Sequence, residues 1–236
     1  MDELYDSHWL VLAQFNELQL RLCSFMKSVP YINRNIGVLS PALPSLLVES
    51  CNLIESIFKQ YSGDSKVRGG LKGYVNIVEP RMNLDESTSI LLVSPLQFLC
   101  PFKGWITKVP PWWSAYNNLK HDRMNHFESA SYENVLMAIA GLHQVIVRSR
   151  MFVSPMVREG WINNEGVFDI ANGREEGCLP ANLHAETHLF VTTMIGDLWE
   201  DSEDGCQRIN PFWDFSSRVK SLIYEQEYLG FGFVTK

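Results

Sequence analysis

Ser131-Tyr-Glu-Asn-Val135-Leu136-Met-Ala138-Ile139-Ala140-Gly-Leu142-His143-Gln-Val145-Ile146-Val-Arg-Ser-Arg150 is the stretch whose reading decides the fold class. Val135, Leu136, Ile139, Leu142, Val145 and Ile146 recur at three- and four-residue steps and line one face of a helix. Ala138 and Ala140 are strong helix formers. Nothing in β-structure accounts for that period, so the chain is built on helices.

Working outward, residues 3–28 carry Leu4, Trp9, Leu12, Phe15, Leu18, Leu22, Phe25 and Met26 at helical spacing, and Pro30 ends the run. Pro44 and Ser45 suit a helix start, and Ser45–Tyr61 repeats the pattern with Leu46, Leu47, Cys51, Ile54, Ile57 and Phe58. Residues 71–83 suggest a third helix, although Val75, Ile77 and Val78 pull towards strand. Residues 90–100 read as strand or irregular chain, with Pro95 interrupting either. Trp112–Phe127 reads as helix, opened by Pro110 and Pro111.

Beyond 150 the character changes. Met151–Ile170 holds β-rich pieces broken by glycine and asparagine, as in a hairpin. Residues 184–199 fit strand or helix, and Pro211–Tyr228 reads as a last helix. The expected architecture is mainly α. A helical bundle occupies residues 1–150, and a smaller mixed β-hairpin and helix extension, residues 151–236, packs on it.

Composition narrows function. Hydrophobic residues make up 46% of the 236, enough for a real core, so the bulk of the chain is not disordered. Cysteines 23, 51, 100, 178 and 206 are odd in number and form no Cys-x-x-Cys pair. That argues against a disulfide scaffold or cysteine zinc site and points to a reducing compartment, the cytoplasm. The acidic start, Met1-Asp-Glu-Leu-Tyr-Asp, is unlike a signal peptide, and no apolar run approaches the ~18 residues of a membrane span.

The charge is uneven. Residues 1–120 hold 11 Lys and Arg against 10 Asp and Glu; residues 121–236 hold 9 against 17. The acidic second half is a poor polyanion binder and would suit a basic protein partner. Residues 59–127, with nine basic and five acidic side chains, are where nucleic acid would be held.

The chemistry-bearing stretch is Trp112-Trp113-Ser-Ala-Tyr116-Asn117-Asn118-Leu119-Lys120-His121-Asp122-Arg123. Asn117 and His121 stand four apart and share a helix face with Trp113, and Tyr116 and Lys120 lie beside them. Metal-free RNA cleavage needs a base for the 2′-hydroxyl proton and a cation for the developing phosphorane. An imidazole, which titrates near neutrality, suits the first task, and Lys120 or Arg123 suits the second.

Tyr116-Asn117-Asn118-Leu119-Lys120-His121 resembles the Arg-Asn-x-x-x-His motif of the HEPN superfamily of small helical bundles, with Tyr116 where the arginine stands. The resemblance covers residues 3–150. It implies an RNA-binding protein or metal-independent endoribonuclease, paired as a homodimer, in bacterial defence or stress response. His121 is then acid or base, Arg123 and Lys120 contact phosphate, Asn117 orients, and Tyr116 donates a hydrogen bond. The alternatives are a non-catalytic protein-interaction module and a nucleotide or small-molecule sensor with an aromatic pocket.

Around this motif, Trp105, Trp112, Trp113, Tyr116 and Phe127 interleave with Lys103, Lys108, Lys120 and Arg123, a pattern able to stack and hold single-stranded bases. The glycine-rich loop 62–73 adds Lys66, Arg68 and Lys72, without the ending of a phosphate loop. His184 and His188 have zinc-compatible spacing, to which His126 or His143 would have to be added; the pair lacks the His-Glu-x-x-His pattern, and no metal is expected. The acidic run Glu200–Asp204 lacks calcium-loop spacing. Gly-x-Gly-x-x-Gly and Gly-x-Ser-x-Gly are absent, so no cofactor is expected.

Overall fold

The computed structural model describes residues 2–63, 67–162 and 184–193. Its helices are α1 (Asp2–Ser28), α2 (Leu43–Ser62), α3 (Leu71–Met82), α4 (Pro111–His121), α5 (Tyr132–Val147) and α6 (Val153–Arg158). Four short strands, β1 (Ser89–Leu91), β2 (Gln97–Leu99), β3 (His184–Glu186) and β4 (Phe190–Thr193), form one antiparallel sheet in the order β2-β1-β4-β3. The protein is thus mainly helical with a small sheet.

The 131–150 stretch is the central helix. From Tyr132 to Val147 only Glu133, Asn134 and Met137 escape full burial, so α5 is enclosed on nearly every side. It packs along α2, α4, α1 and β4. Ser131 caps its start by accepting from the Asn134 N–H at 3.3 Å. Gly141 lets the preceding loop and α4 come close: a Cβ there would meet Phe102 at 3.2 Å and Trp112 at 3.5 Å.

α2 opens with Pro44 in its first turn and closes at Gly63, whose positive φ of 59° suits glycine. α3 does form, and it ends at Asn83 in the left-handed region. The buried Arg148 guanidinium donates to the carbonyls of Met82 and Asn83, both at 2.7 Å, and so satisfies that helix end. Burial lowers the Arg148 pKa to about 10.

Two expectations change. The helix after Pro111 stops at His121 rather than Phe127, because Asp122 accepts from the Asn125 backbone N–H at 3.2 Å and side-chain amide at 2.7 Å. That local turn replaces the helical ladder. A short 3-10 turn, Phe127–Ser129, follows. Met151, Phe152 and Val153 are helical, not strand: a 3-10 turn (Arg150–Phe152) runs into α6, with Pro155 in its first turn. A three-residue apolar run carries no period of its own, and burial of Phe152, Val153 and Met156 decided it. Residues 90–100 carry strand on both sides of the interruption expected at Pro95, with β1 ending at Leu91 and β2 starting at Gln97.

The sheet takes strands from both sides of residue 150, and Ala185, Leu189 and Phe190 belong to the same core as the helices. Gln19 of α1 joins them: its Oε1 accepts from Thr187 Oγ1 at 2.6 Å and Leu189 N at 2.9 Å. Behind β4, Thr192 Oγ1 lies 2.9 Å from His143 Nδ1 and 2.6 Å from Ser89 Oγ, and Gln144 Nε2 donates to Ser89 Oγ at 3.0 Å. His143 is enclosed by Phe15, Trp161 and Phe190, and burial lowers its pKa to about 3. The expected helix Pro211–Tyr228 and the acidic run 200–204 lie outside the described residues. Among the described residues no single helix is long and apolar enough to cross a membrane.

Candidate functional site

α4 divides its polar side chains between two directions. Trp112, Trp113, Ala115, Tyr116 and Leu119 are buried against the core, whereas Ser114, Asn118, Lys120 and His121 are exposed and Asn117 is half-buried. The helical turn separates them: Tyr116 and Lys120 fall on the row facing α2, and Asn117 and His121 on the next.

Tyr116 and Lys120 are committed to α2. The buried Tyr116 hydroxyl lies 2.8 Å from Asn52 Oδ1 and 2.9 Å from Glu55 Oε2; its single proton serves one of them at a time. Lys120 Nζ donates to the Tyr116 oxygen at 2.9 Å and to Glu55 Oε2 at 3.1 Å, and sits 5.1 Å from the Tyr116 ring centroid. Lys59, one turn along α2, pairs with Glu55 Oε1 at 2.9 Å. Burial by itself raises the Glu55 pKa, but donation from Lys59, Lys120 and Tyr116 outweighs it and holds the carboxyl at about 2. Burial, then Glu55, pushes the Tyr116 phenol up, and bonding to Tyr116, partly offset by desolvation, raises the Lys120 pKa.

Asn117, His121 and Arg123 have no such engagement: no hydrogen bond or ion pair joins their side chains to another described residue. His121 and Arg123 are exposed at and just beyond the end of α4, beside Met124, which is 92% exposed. A helix C-terminus alone repels an anion. Of the two cations nearby, Lys120 is paired with Glu55, which leaves Arg123 without such a pairing.

The remaining candidates scatter. Trp112 and Trp113 are 1% and 3% exposed, stacked edge-to-face on each other and, for Trp112, on Phe102. Trp112 Nε1 donates to the Pro101 carbonyl at 2.7 Å, and Trp105 Nε1 to Glu79 Oε2 at 2.6 Å. These tryptophans close the core rather than offering stacking surfaces, which corrects the expectation for Trp112 and Trp113. Lys103 is exposed but paired with Glu86 at 2.8 Å and Asp85 at 3.7 Å. Lys108 is exposed just before α4, at the opposite end from His121, and an 11-residue helix spans about 16 Å. Arg68 and Lys72 are exposed around the start of α3, and Lys66 lies outside the described residues. His184 is half-buried in β3 and His188 exposed in the turn after it. Among the described residues no three His, Cys, Asp or Glu side chains are grouped to hold a metal ion.

Asn52, Glu55 and Lys59 are the members of the site that sequence reading does not single out. The Glu55–Lys59 spacing is a legible i, i+4 pair, but nothing local says that α4 docks against it. Asn52 also lines a groove of about 300 Å³ between α1 and α2, with Gln14, Glu17, Leu18 and Glu49, whose acidic edge suits no polyanion.

Comparison with protein-family models, curated proteins and solved structures finds no match to this chain.

Proposed function

We propose that this protein is a HEPN-like RNA-binding module that engages RNA phosphate at the exposed end of α4, with His121 the group that would perform metal-independent cleavage. One observation carries the reading. Asn117 and His121 on α4 and Arg123 just beyond it stand exposed or half-exposed, and no hydrogen bond or ion pair joins their side chains to another described residue, whereas Tyr116 and Lys120 are engaged with α2. An imidazole, an amide and a guanidinium within two turns are the types that orient, deprotonate and neutralise a phosphodiester.

The position of Tyr116 favours binding over cleavage. In the resembling motif this place holds an arginine at the scissile phosphate; here it is a buried phenol bound to α2. Arg123 is then the cation left for the phosphate. A homodimer would bring two α4 ends to one cleft, and light scattering tests that pairing.

The experiment is titration of purified protein with labelled single-stranded RNA in the presence of chelator, read for binding and for cleavage. Arg123→Ala should weaken binding and lower the salt slope by ~0.7, the loss of one phosphate contact on a single strand. His121→Ala should abolish chelator-resistant cleavage with the melting temperature unchanged, since the side chain is exposed. Absence of binding by the unaltered protein overturns the reading.

A further inference from the structure

Three donors converge on one carboxylate at the heart of the site. Lys59, Lys120 and Tyr116 all reach Glu55, at 2.9, 3.1 and 2.9 Å. Such charge-assisted contacts are those a phosphate oxygen also accepts. The two lysines differ from the phenol in access: their side chains are 62% and 46% exposed, while Tyr116 is buried beneath them. An anion arriving from solvent therefore meets Lys59 and Lys120 first, without any movement of backbone.

We propose that Lys59 and Lys120 form a phosphate-binding pair which Glu55 occupies as an internal anion, so that Glu55 limits how tightly the α4 end holds an RNA phosphodiester. The proposal rests on the RNA-binding reading above and assigns a second phosphate contact next to His121. Tyr116 and Asn52 are its buried anchor. Tyr116 holds the Glu55 carboxylate and the Lys120 ammonium together, and Asn52 keeps an acceptor on the phenol when Glu55 gives way. The lysine ends are largely exposed, but Glu55 is only 22% exposed, so a phosphate that takes the lysines leaves the carboxylate to Tyr116 alone, a cost that weakens binding to the unaltered protein and that Glu55→Gln removes. Lys120 and His121 are consecutive on the last turn of α4 and fall on adjoining rows, so the Lys59–Lys120 pair would hold a different phosphate of the strand from the one at His121.

Glu55→Gln tests the proposal, because it keeps the shape and removes the competing charge. Binding of labelled single-stranded RNA to the full chain should tighten several-fold. Its salt slope should steepen by ~0.7 for each lysine released. Adding Lys59→Met and Lys120→Met to Glu55→Gln should cancel the gain, whereas the same two changes in the unaltered protein should cost little. Circular dichroism confirms folding. If Glu55→Gln fails to fold, Glu55→Asp, which retracts the carboxylate by one methylene, should give the same direction of change. Two failures are distinguishable. RNA binding that depends on Arg123 but is indifferent to Glu55 overturns this proposal alone; no RNA binding by any variant overturns both.

Discussion

Tyr116 of α4 and Glu55 of α2, 61 residues apart in the chain, meet through their side-chain oxygens at 2.9 Å. The docking that makes this contact, with Trp112, Trp113 and Leu119 buried alongside it, fixes which way α4 faces. It turns Tyr116 and Lys120 inward to α2 and leaves Asn117 and His121 on the adjoining row. The stability of the site and the exposure of its imidazole are two consequences of one docking.

Tyr116→Phe removes a buried hydroxyl shared by Asn52, Glu55 and Lys120. The loss should be about 1–2 kcal/mol, since Asn52 and Glu55 lose a donor and Lys120 an acceptor without regaining full hydration. Urea denaturation at neutral pH measures it. An unchanged midpoint would mean that the network contributes nothing to docking α4.

Glu55 gives the network an acid limit. Its carboxyl pKa falls from 4.5 in the unfolded chain to about 2 when folded. A depressed folded pKa contributes stability that is present above about pH 4.5 and lost as pH falls towards 2. Because the lysines are largely exposed, screening reduces this to about 1 kcal/mol. Glu55→Gln should flatten that part of the stability curve, and a curve of unchanged shape would exclude the linkage.

His143 acts at higher pH. Burial takes its pKa from 6.5 to about 3, so the unfolded chain binds a proton that the folded one refuses. Its contribution is complete above pH 6.5 and is lost steadily down to about pH 3, at ~1.4 kcal/mol per pH unit. Denaturation at pH 7 and pH 5 should differ by about 2 kcal/mol from this group alone. In His143→Asn the difference should shrink by that amount.

Gln19 is the joint between α1 and the β3–β4 turn. Gln19→Ala strips the acceptor from Thr187 Oγ1 and Leu189 N, both buried. Of the two, Leu189 N is left without a partner, and the cost should be about 1–3 kcal/mol. Amide hydrogen exchange of Leu189 should accelerate. Protection equal to that of the unaltered protein would show that the turn holds without α1.

Much of the fold is legible in local pattern. The periods of Leu46 to Phe58 and Val135 to Ile146 announce α2 and α5, and both are there with ends shifted by one to three residues. Local pattern misleads where a short segment has no period, as at Met151–Val153, or where a side chain outcompetes the helix ladder, as Asp122 does. The cluster Tyr116 to Arg123 is likewise visible as a run of residue types. Its division into a bound half and an exposed half is not.

The sequence by itself determined that this chain is helical, where its central helix lies, and that one short stretch concentrates an amide, an imidazole and two cations. Periodicity and residue type are local properties, and they suffice for that. Only the tertiary structure decided that Trp112 and Trp113 are core, that Glu55 meets Tyr116 and Lys120, and that strands from residues 89–99 and 184–193 share one sheet. Those outcomes depend on which faces meet after the chain folds back over dozens of residues. Burial of apolar surface, which is non-directional and indifferent to sequence distance, drives that choice.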